Sequence, residues 1–146
     1  VDPDLVADCL QAWGAQWDTR FVVVDTHPGA NPLTDGALQV ADVVVVPAVL
    51  ANREMAALEA MLVDLGEFNV VVAPTMVPNI PPRRYVDRLE ELARGRHRVA
   101  PPVSEHRWLR RRLRRSAIVL QPNPGKRVTA AAQEFRGLAQ TVEESA

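Results

Sequence analysis

The sequence predicts an α/β protein built as three layers, with a mainly parallel sheet between two layers of helices. Three valine-rich runs, over residues 21–25, 43–47 and 69–73, are continuously apolar rather than alternating. Continuous apolar runs of this length are typical of strands that are buried on both faces. Segments with apolar residues at helical spacing separate the runs, and strands that alternate with helices favour a parallel sheet.

The first elements are a helix and a strand. Pro3 suits the first turn of a helix, and the apolar spacing that follows predicts a helix that ends near Gly14. The run over 21–25 predicts the first buried strand. A loop rich in proline, glycine and asparagine over 27–32 then leads into a short helix over about 33–41.

The middle of the chain repeats the strand–helix pattern. The second strand is expected over 43–47, and a helix over 52–65 follows, with Asn52 as its N-cap and a face of leucine and methionine. The third strand over 69–73 ends at Pro74-Thr75-Met76.

Residues 83–146 are predicted to form five further elements. They are a helix over 83–94 stopped by Gly95, a short strand over 97–103, an arginine-dense helix over 104–115 with Ser104 as its N-cap, a strand or extended piece over 117–120, and a closing helix over 129–144.

Length and composition favour one domain over residues 1–146 in a reducing cytoplasm. The 146 residues suffice for one hydrophobic core. The longest apolar run, over 43–51, is too short to span a bilayer, and the acidic N-terminus does not resemble a signal peptide. The lone cysteine, Cys9, excludes an internal disulfide and suits a cytoplasmic protein.

Charge is strongly segregated along the chain. Residues 1–82 contain two basic and eleven acidic residues, whereas residues 83–115 contain twelve arginines and four acidic residues. The two segments carry net charges of −9 and +8, although the whole chain carries −1. Such segregation predicts a positive surface patch on a nearly neutral molecule.

The arginine-dense segment is the first candidate site. On the predicted helix its outer stripe consists of Arg107, Arg110, Arg111, Arg114 and Arg115. A stripe of this kind fits the phosphate backbone of non-specific DNA, which it binds with a steep dependence on salt. A solvated charged face and an anionic membrane surface are the alternatives, and the thin apolar side disfavours the membrane.

The end of the first predicted strand is the second candidate site. Asp25 follows an apolar run, and ligands of open α/β sheets bind at the carboxyl ends of the strands. An aspartate there suits Mg²⁺ or the water beside a nucleotide phosphate, and a plain polar turn is the alternative. The G-x-x-x-x-G-K-[ST] phosphate loop that completes such a site is missing, and Lys126 is the only lysine.

Several segments of the chain resemble segments of the ParA/MinD-type partition ATPases and occur in the same order. The resemblance corresponds to the part of the family's sequence that follows the phosphate-binding loop. The matching segments are residues 21–28 (I-I-I-D-T-P-P in the family), 37–47 (N-A-L-x-A-A-D-x-V-L-I-P), 58–65, 73–76 with 83–84 and 89–92 (L-P-T-M…R…LEEL), and 133–139 (A-x-x-Y-R-x-L-A). His27 stands where the family has its first proline.

The resemblance implies a P-loop NTPase-like fold that lacks the strand leading to its phosphate loop. By position, Asp25 is the catalytic residue near Mg²⁺ and the attacking water, with Thr26 alongside. Thr75, Met76 and Pro102 are expected around the base of the nucleotide. The cofactors implied for the complete protein are ATP and Mg²⁺.

The resemblance also implies a function in plasmid or chromosome segregation. In the complete protein ATP drives homodimerisation and binding to nucleoid DNA, and a ParB-like centromere-binding activator stimulates hydrolysis. The chain by itself is expected neither to bind nor to hydrolyse ATP, because the lysines and amides that hold the triphosphate belong to the absent loop. The absent strand is expected to be supplied by a missing N-terminal segment or by strand exchange between copies.

Alternatives to the partition ATPase stay open. The second interpretation is a non-catalytic paralogue that binds DNA or a partner through the arginine segment. A third possibility is another ATPase with a deviant Walker motif, such as a synthetase or a reductase ATPase, although a single cysteine disfavours a cluster-bearing reductase.

Overall fold

A computed structural model describes residues 1–27, 29–112 and 117–146, apart from the side chain of Arg110. The chain divides into two compact units, Val1–Asp42 and Val43–Ala146. The expectation of one domain over residues 1–146 stays a prediction.

The first unit is a pair of packed helices, α1 (Pro3–Gln16) and α2 (Pro32–Gln39). Asp2 caps α1, since its side chain accepts a hydrogen bond from the amide of Asp4 at 3.1 Å. Asn31 caps α2 by accepting from two amides of the first turn. Both helices were predicted, and α1 continues two residues past Gly14.

The predicted strand over 21–25 does not form. Residues 21–27 carry no strand pairing, and the apolar side chains of 21–24 are exposed, with Val23 91% exposed. A strand is stable only when a neighbour satisfies its amide and carbonyl groups, and no other strand forms in the described residues of this unit. The apolar run shows that this segment could be buried as a strand. Whether it is buried depends on another strand that pairs with it.

The second unit contains a parallel sheet, which confirms the α/β class. Its three strands are β1 (Val44–Val49), β2 (Val70–Thr75) and β3 (Arg98–Val99), in the order β1-β2-β3. The register pairs Val44 with Val70 and Val71 with Arg98. Residues 70–74 of β2 are all buried, as their continuous apolar character predicts for a central strand.

Three helices pack on this sheet. α3 (Asn52–Asp64) contacts β1 and α4 (Arg83–Ala93), and α4 contacts β3. α5 (Lys126–Glu143) contacts β2. Gly95, just after α4, has a φ of +83°, which a residue with a side chain rarely adopts, so the predicted stop is confirmed.

The prediction of Asn52 as the N-cap of α3 is wrong. Ala51 occupies the N-cap position without a side-chain hydrogen bond, and Asn52 is the first helical residue. The closing helix α5 begins three residues before the predicted start at 129. The predicted strand or extended piece over 117–120 is instead a 3₁₀ turn, Ile118–Leu120.

The predicted arginine-dense helix over 104–115 is wrong for its described part, residues 104–112. Only Leu109–Arg111 form a 3₁₀ turn, and Ser104 pairs with Val77 in a parallel β-bridge. The amide of Ser104 donates to a side chain of α5, and that of Glu105 donates to the Val77 carbonyl. These tertiary bonds hold the backbone extended where the helix was expected to begin. Residues 113–116 lie outside the described part.

None of the helices built from the described residues has the length and apolar character required to cross a membrane.

The contact between α1 and α2 depends on the absence of a side chain at Gly36. A Cβ atom there would lie 2.4 Å from the carbonyl oxygen of Pro3 and 2.6 Å from the Cβ of Val6. By contrast, a Cβ at Gly14, inside α1, would meet Val22 Cγ2 at an ordinary 3.9 Å.

We therefore expect Gly36→Ala to lower the free energy of unfolding of the first unit by about 1–3 kcal/mol, because α1 and α2 must move apart. We expect Gly14→Ala to raise it by about 0.5–1 kcal/mol, because alanine is the better helix former. Urea unfolding followed by helical circular dichroism measures both values. Equal effects of the two substitutions would contradict the packing described.

Candidate functional site

The carboxyl end of β2 continues into a second stretch of parallel pairing. Beyond β3, the Val103 amide donates to the Pro74 carbonyl at 2.8 Å, and the Val77 amide donates to the Val103 carbonyl at 3.1 Å. Between the two paired stretches lie Pro101 and Pro102, which have no amide hydrogen to donate to a ladder. The chain therefore bulges at the prolines and returns to β2 at residues 103–105.

This path brings three of the predicted nucleotide-binding residues to one edge of the sheet. Thr75 is the last residue of β2 and pairs with Val49 of β1. Met76 follows it with a φ of +52°, a left-handed conformation that costs a non-glycine residue about 1–2 kcal/mol, and its side chain is 46% exposed. Pro102 is exposed at the bulge beside this strand end.

Asp25 and Thr26 are exposed in the first unit, on a segment without regular secondary structure. In the described residues there is no group of three or more histidine, cysteine, aspartate or glutamate side chains that could hold a metal ion. Mg²⁺ is commonly held by one or two carboxylates together with substrate phosphates. A single Asp25 fits that role only where a triphosphate is present, and its assignment as catalytic residue and metal ligand stays a prediction.

The residues of this chain do not fit a triphosphate by themselves. The phosphate-loop motif is missing from the sequence, and the only lysine, Lys126, is the first residue of α5. Exposed apolar groups at Met76 and Pro102 suit the face of a base. The assignment of Thr75, Met76 and Pro102 to a nucleotide base stays a prediction.

A hydrogen-bonded cluster that the sequence did not reveal lies at the first turns of α3 and α4. The Tyr85 hydroxyl donates to Asn52 Oδ1 at 2.8 Å and accepts from Arg84 at 2.8 Å. The Arg84 guanidinium also lies 4.7 Å from the centre of the Tyr85 ring. No local pattern signals this contact, because Asn52 and Tyr85 are 33 residues apart in the chain.

The predicted DNA-binding residues have different surroundings. The Arg107 side chain is 88% exposed and lies 3.6 Å from a carboxylate oxygen of Glu105. Arg111 is exposed at the end of the 3₁₀ turn, without an ion pair to the described residues. Arg110 lies in the same turn, and Arg114 and Arg115 are outside the described residues.

Not every arginine of the 83–115 segment contributes free positive charge. Arg88 bridges Glu59 of α3 and Glu91 of α4, with distances of 2.5 and 2.7 Å. The hydrogen bond to Glu59, followed by that to Glu91, raises the pKa of Arg88 above its usual value. Arg88 therefore ties two helices together.

Glu134 of α5 holds the start of the arginine-rich segment. Its Oε2 accepts from the Ser104 amide at 2.9 Å and lies 2.8 Å from His106 Nε2, and its Oε1 accepts from the Ser104 hydroxyl at 2.8 Å. We call these three residues the Glu134 anchor. The side chains of His106 and Glu134 are only 13% and 25% exposed.

The anchor lowers the pKa of Glu134. Burial by itself would raise it, but the hydrogen bonds from the Ser104 amide, His106 and the Ser104 hydroxyl outweigh burial and favour the carboxylate. The order of the groups differs from that of a nucleophilic triad, in which a histidine accepts from the serine. Here the serine donates to the glutamate, so the anchor holds backbone rather than activating a nucleophile.

Comparison of the chain with protein-family models, with curated proteins and with solved structures yields no match.

Because the pKa of Glu134 is lowered by folding, the carboxylate stabilises the protein above the unfolded value of 4.5, and this contribution is lost as pH falls through the folded pKa. We expect the free energy of unfolding to decline below pH 4.5 more steeply for the natural protein than for Glu134→Gln. Urea unfolding at a series of pH values measures the two slopes. Parallel slopes would show that Glu134 does not carry this dependence.

Proposed function

We propose that the chain is the part of a ParA-like partition ATPase that follows the phosphate-binding loop, and that its arginine-rich segment binds DNA without sequence preference. The observation that carries the proposal is the run of arginines over 107–112, which begins directly after the paired segment 103–105 at the carboxyl edge of the sheet. The order of segments that resemble the family supports the wider assignment.

The surroundings of this run favour a polyanion as its partner. Residues 107–112 contain five positions other than leucine, of which four are arginine and one is tryptophan. Glu105 is the acidic residue nearest in sequence, and it lies a loose 3.6 Å from Arg107, whose side chain is 88% exposed. An exposed pair at that distance neutralises little charge, so the field of the segment extends into solvent.

Phosphate groups of DNA would replace counterions along such a run, which makes binding independent of sequence and sensitive to salt. Arginine suits this role because its guanidinium group donates in a fixed fork that matches phosphate oxygens. In the complete protein, the exposed Met76 and Pro102 would face the nucleotide base, and ATP would drive homodimerisation on nucleoid DNA in the cytoplasm. A ParB-like protein would be the activating partner.

A non-catalytic paralogue that binds DNA through the arginine segment is the second candidate, because the exposed Arg107 and Arg111 need no nucleotide to attract phosphate. The two candidates differ in the response of DNA binding to nucleotide. An affinity for DNA that rises with ATP and Mg²⁺ supports the ATPase, whereas an affinity that nucleotide leaves unchanged supports the binding module.

The DNA-binding role predicts the behaviour of Arg107→Glu with Arg111→Glu. On a fluorescent duplex of about 30 base pairs at about 50 mM salt, we expect the double variant to bind about 30-fold more weakly or worse. The slope of log affinity against log salt should fall by about 2, because two phosphate contacts are lost.

Arg127→Glu with Arg136→Glu is the matched control. It changes net charge equally at two exposed positions of α5. We expect this control to weaken binding by less than about threefold, through the general field alone. An equal loss in both double variants, or no loss in the first, would refute the proposed surface.

A further inference from the structure

The arginine-rich segment has little regular structure of its own, which raises the question of what fixes its position. Among residues 106–112 the described backbone forms a single 3₁₀ turn, Leu109–Arg111. The segment is fixed from its N-terminal side, where the Glu105 amide donates to the Val77 carbonyl at 3.0 Å. The Glu134 anchor holds the residues on either side of Glu105, Ser104 and His106.

We propose that the Glu134 anchor is the positioning device of the DNA-binding surface, holding the start of the segment 106–112 against α5 so that the exposed Arg107 and Arg111 are presented to phosphate. This inference rests on the proposed binding of DNA. Glu134 itself carries a negative charge and is a positioning residue rather than a contact for DNA.

Both oxygens of Glu134 are occupied by Ser104, just before the segment, and by His106, its first residue. The three contacts span the backbone and side chain of Ser104 and the ring of His106, all between 2.8 and 2.9 Å. His106 directly precedes Arg107, so the last anchored residue adjoins the first arginine of the run. The His106 ring also lies 6.1 Å from that of Trp108, tilted by 57°, which continues the fixed part past Arg107.

A carboxylate is the side chain that such an anchor requires. It accepts on both oxygens, and three donors converge here from Ser104 and His106. Glutamine offers one accepting oxygen and an NH₂ group that only donates. Glu134→Gln keeps the size of the side chain, but the Ser104 hydroxyl must then accept from the NH₂ group instead of donating, and the other hydrogen bonds lose the negative charge that strengthens them.

The direction of the effect separates positioning from simple electrostatics. Removing a negative charge close to a DNA-binding surface strengthens the attraction to a polyanion, so charge alone predicts tighter binding by Glu134→Gln. Loss of the anchor predicts weaker binding, because an unanchored segment must be ordered when it meets DNA. The two explanations thus give opposite signs for the same substitution.

The test compares the full chain with Glu134→Gln and with the control Glu67→Gln, using the same fluorescent duplex at about 50 mM salt. Glu67 is exposed, has no ion pair within the described residues, and loses the same charge on substitution. We expect Glu134→Gln to weaken DNA binding by about threefold to tenfold and Glu67→Gln to leave it equal or slightly stronger. Tighter or unchanged binding by Glu134→Gln would overturn the proposal.

Hydrogen exchange at the Ser104 amide tests the anchor without DNA. This amide donates to Glu134, so we expect its exchange to accelerate about tenfold in Glu134→Gln and to stay unchanged in Glu67→Gln. Ser104→Ala removes only the hydroxyl bond and should weaken DNA binding in the same direction by a smaller factor. An unchanged Ser104 exchange rate in Glu134→Gln would show that the anchor is not formed.

A double-mutant cycle shows whether the anchor acts through the arginines. If it positions Arg111, then Arg111→Glu should cost less affinity in the Glu134→Gln background than in the natural protein. Strictly additive losses would overturn positioning. Failure of the natural protein to bind the duplex would instead refute the proposed DNA binding, and the exchange experiment would still report whether the anchor exists.

Discussion

The second unit depends on one constraint, which is that β2 pairs in parallel with a neighbouring segment along each of its two sides. Residues 70–74 are buried, so their amides and carbonyls have to be satisfied by neighbouring strands rather than by water. β1 supplies one edge over six residue pairs, while β3 supplies only two on the other. The return of the chain at 103–105 completes the second edge, and it thereby fixes where the following arginines begin.

The proline pair gives this second edge its shape. Pro101 and Pro102 have no amide hydrogen, so the ladder is interrupted between the bonds to Val72 and to Pro74, close to the end of β2 at Thr75. The interruption leaves Met76, with its left-handed conformation, and Pro102 exposed near the carboxyl end of β2. Regular pairing at Pro101 and Pro102 would have covered the carboxyl end of β2.

Charge and position are supplied by different parts of the chain. The arginines of 107–112 supply the charge, but they follow a stretch whose backbone is held by Val77 of the sheet and by Glu134 of α5. An acidic side chain thus supports a basic surface, because its oxygens are consumed by Ser104 and His106. The number of charges in the segment therefore does not describe the surface fully, because it leaves out the groups that fix the position of the arginines.

The sequence by itself determined the elements whose signals are local. The parallel β1 and β2, the helices α1 to α5 and the stop at Gly95 follow from apolar spacing, from Pro3 and from a glycine. The roles of Thr75, Met76 and Pro102 come only from the resemblance to the family and stay a prediction. Tertiary structure decided the rest. The apolar run at 21–24 forms no strand because a strand needs a partner, and no helix starts at Ser104 because bonds to Val77 and Glu134 outcompete helical ones. Those partners are distant in the chain, so no local pattern encodes them.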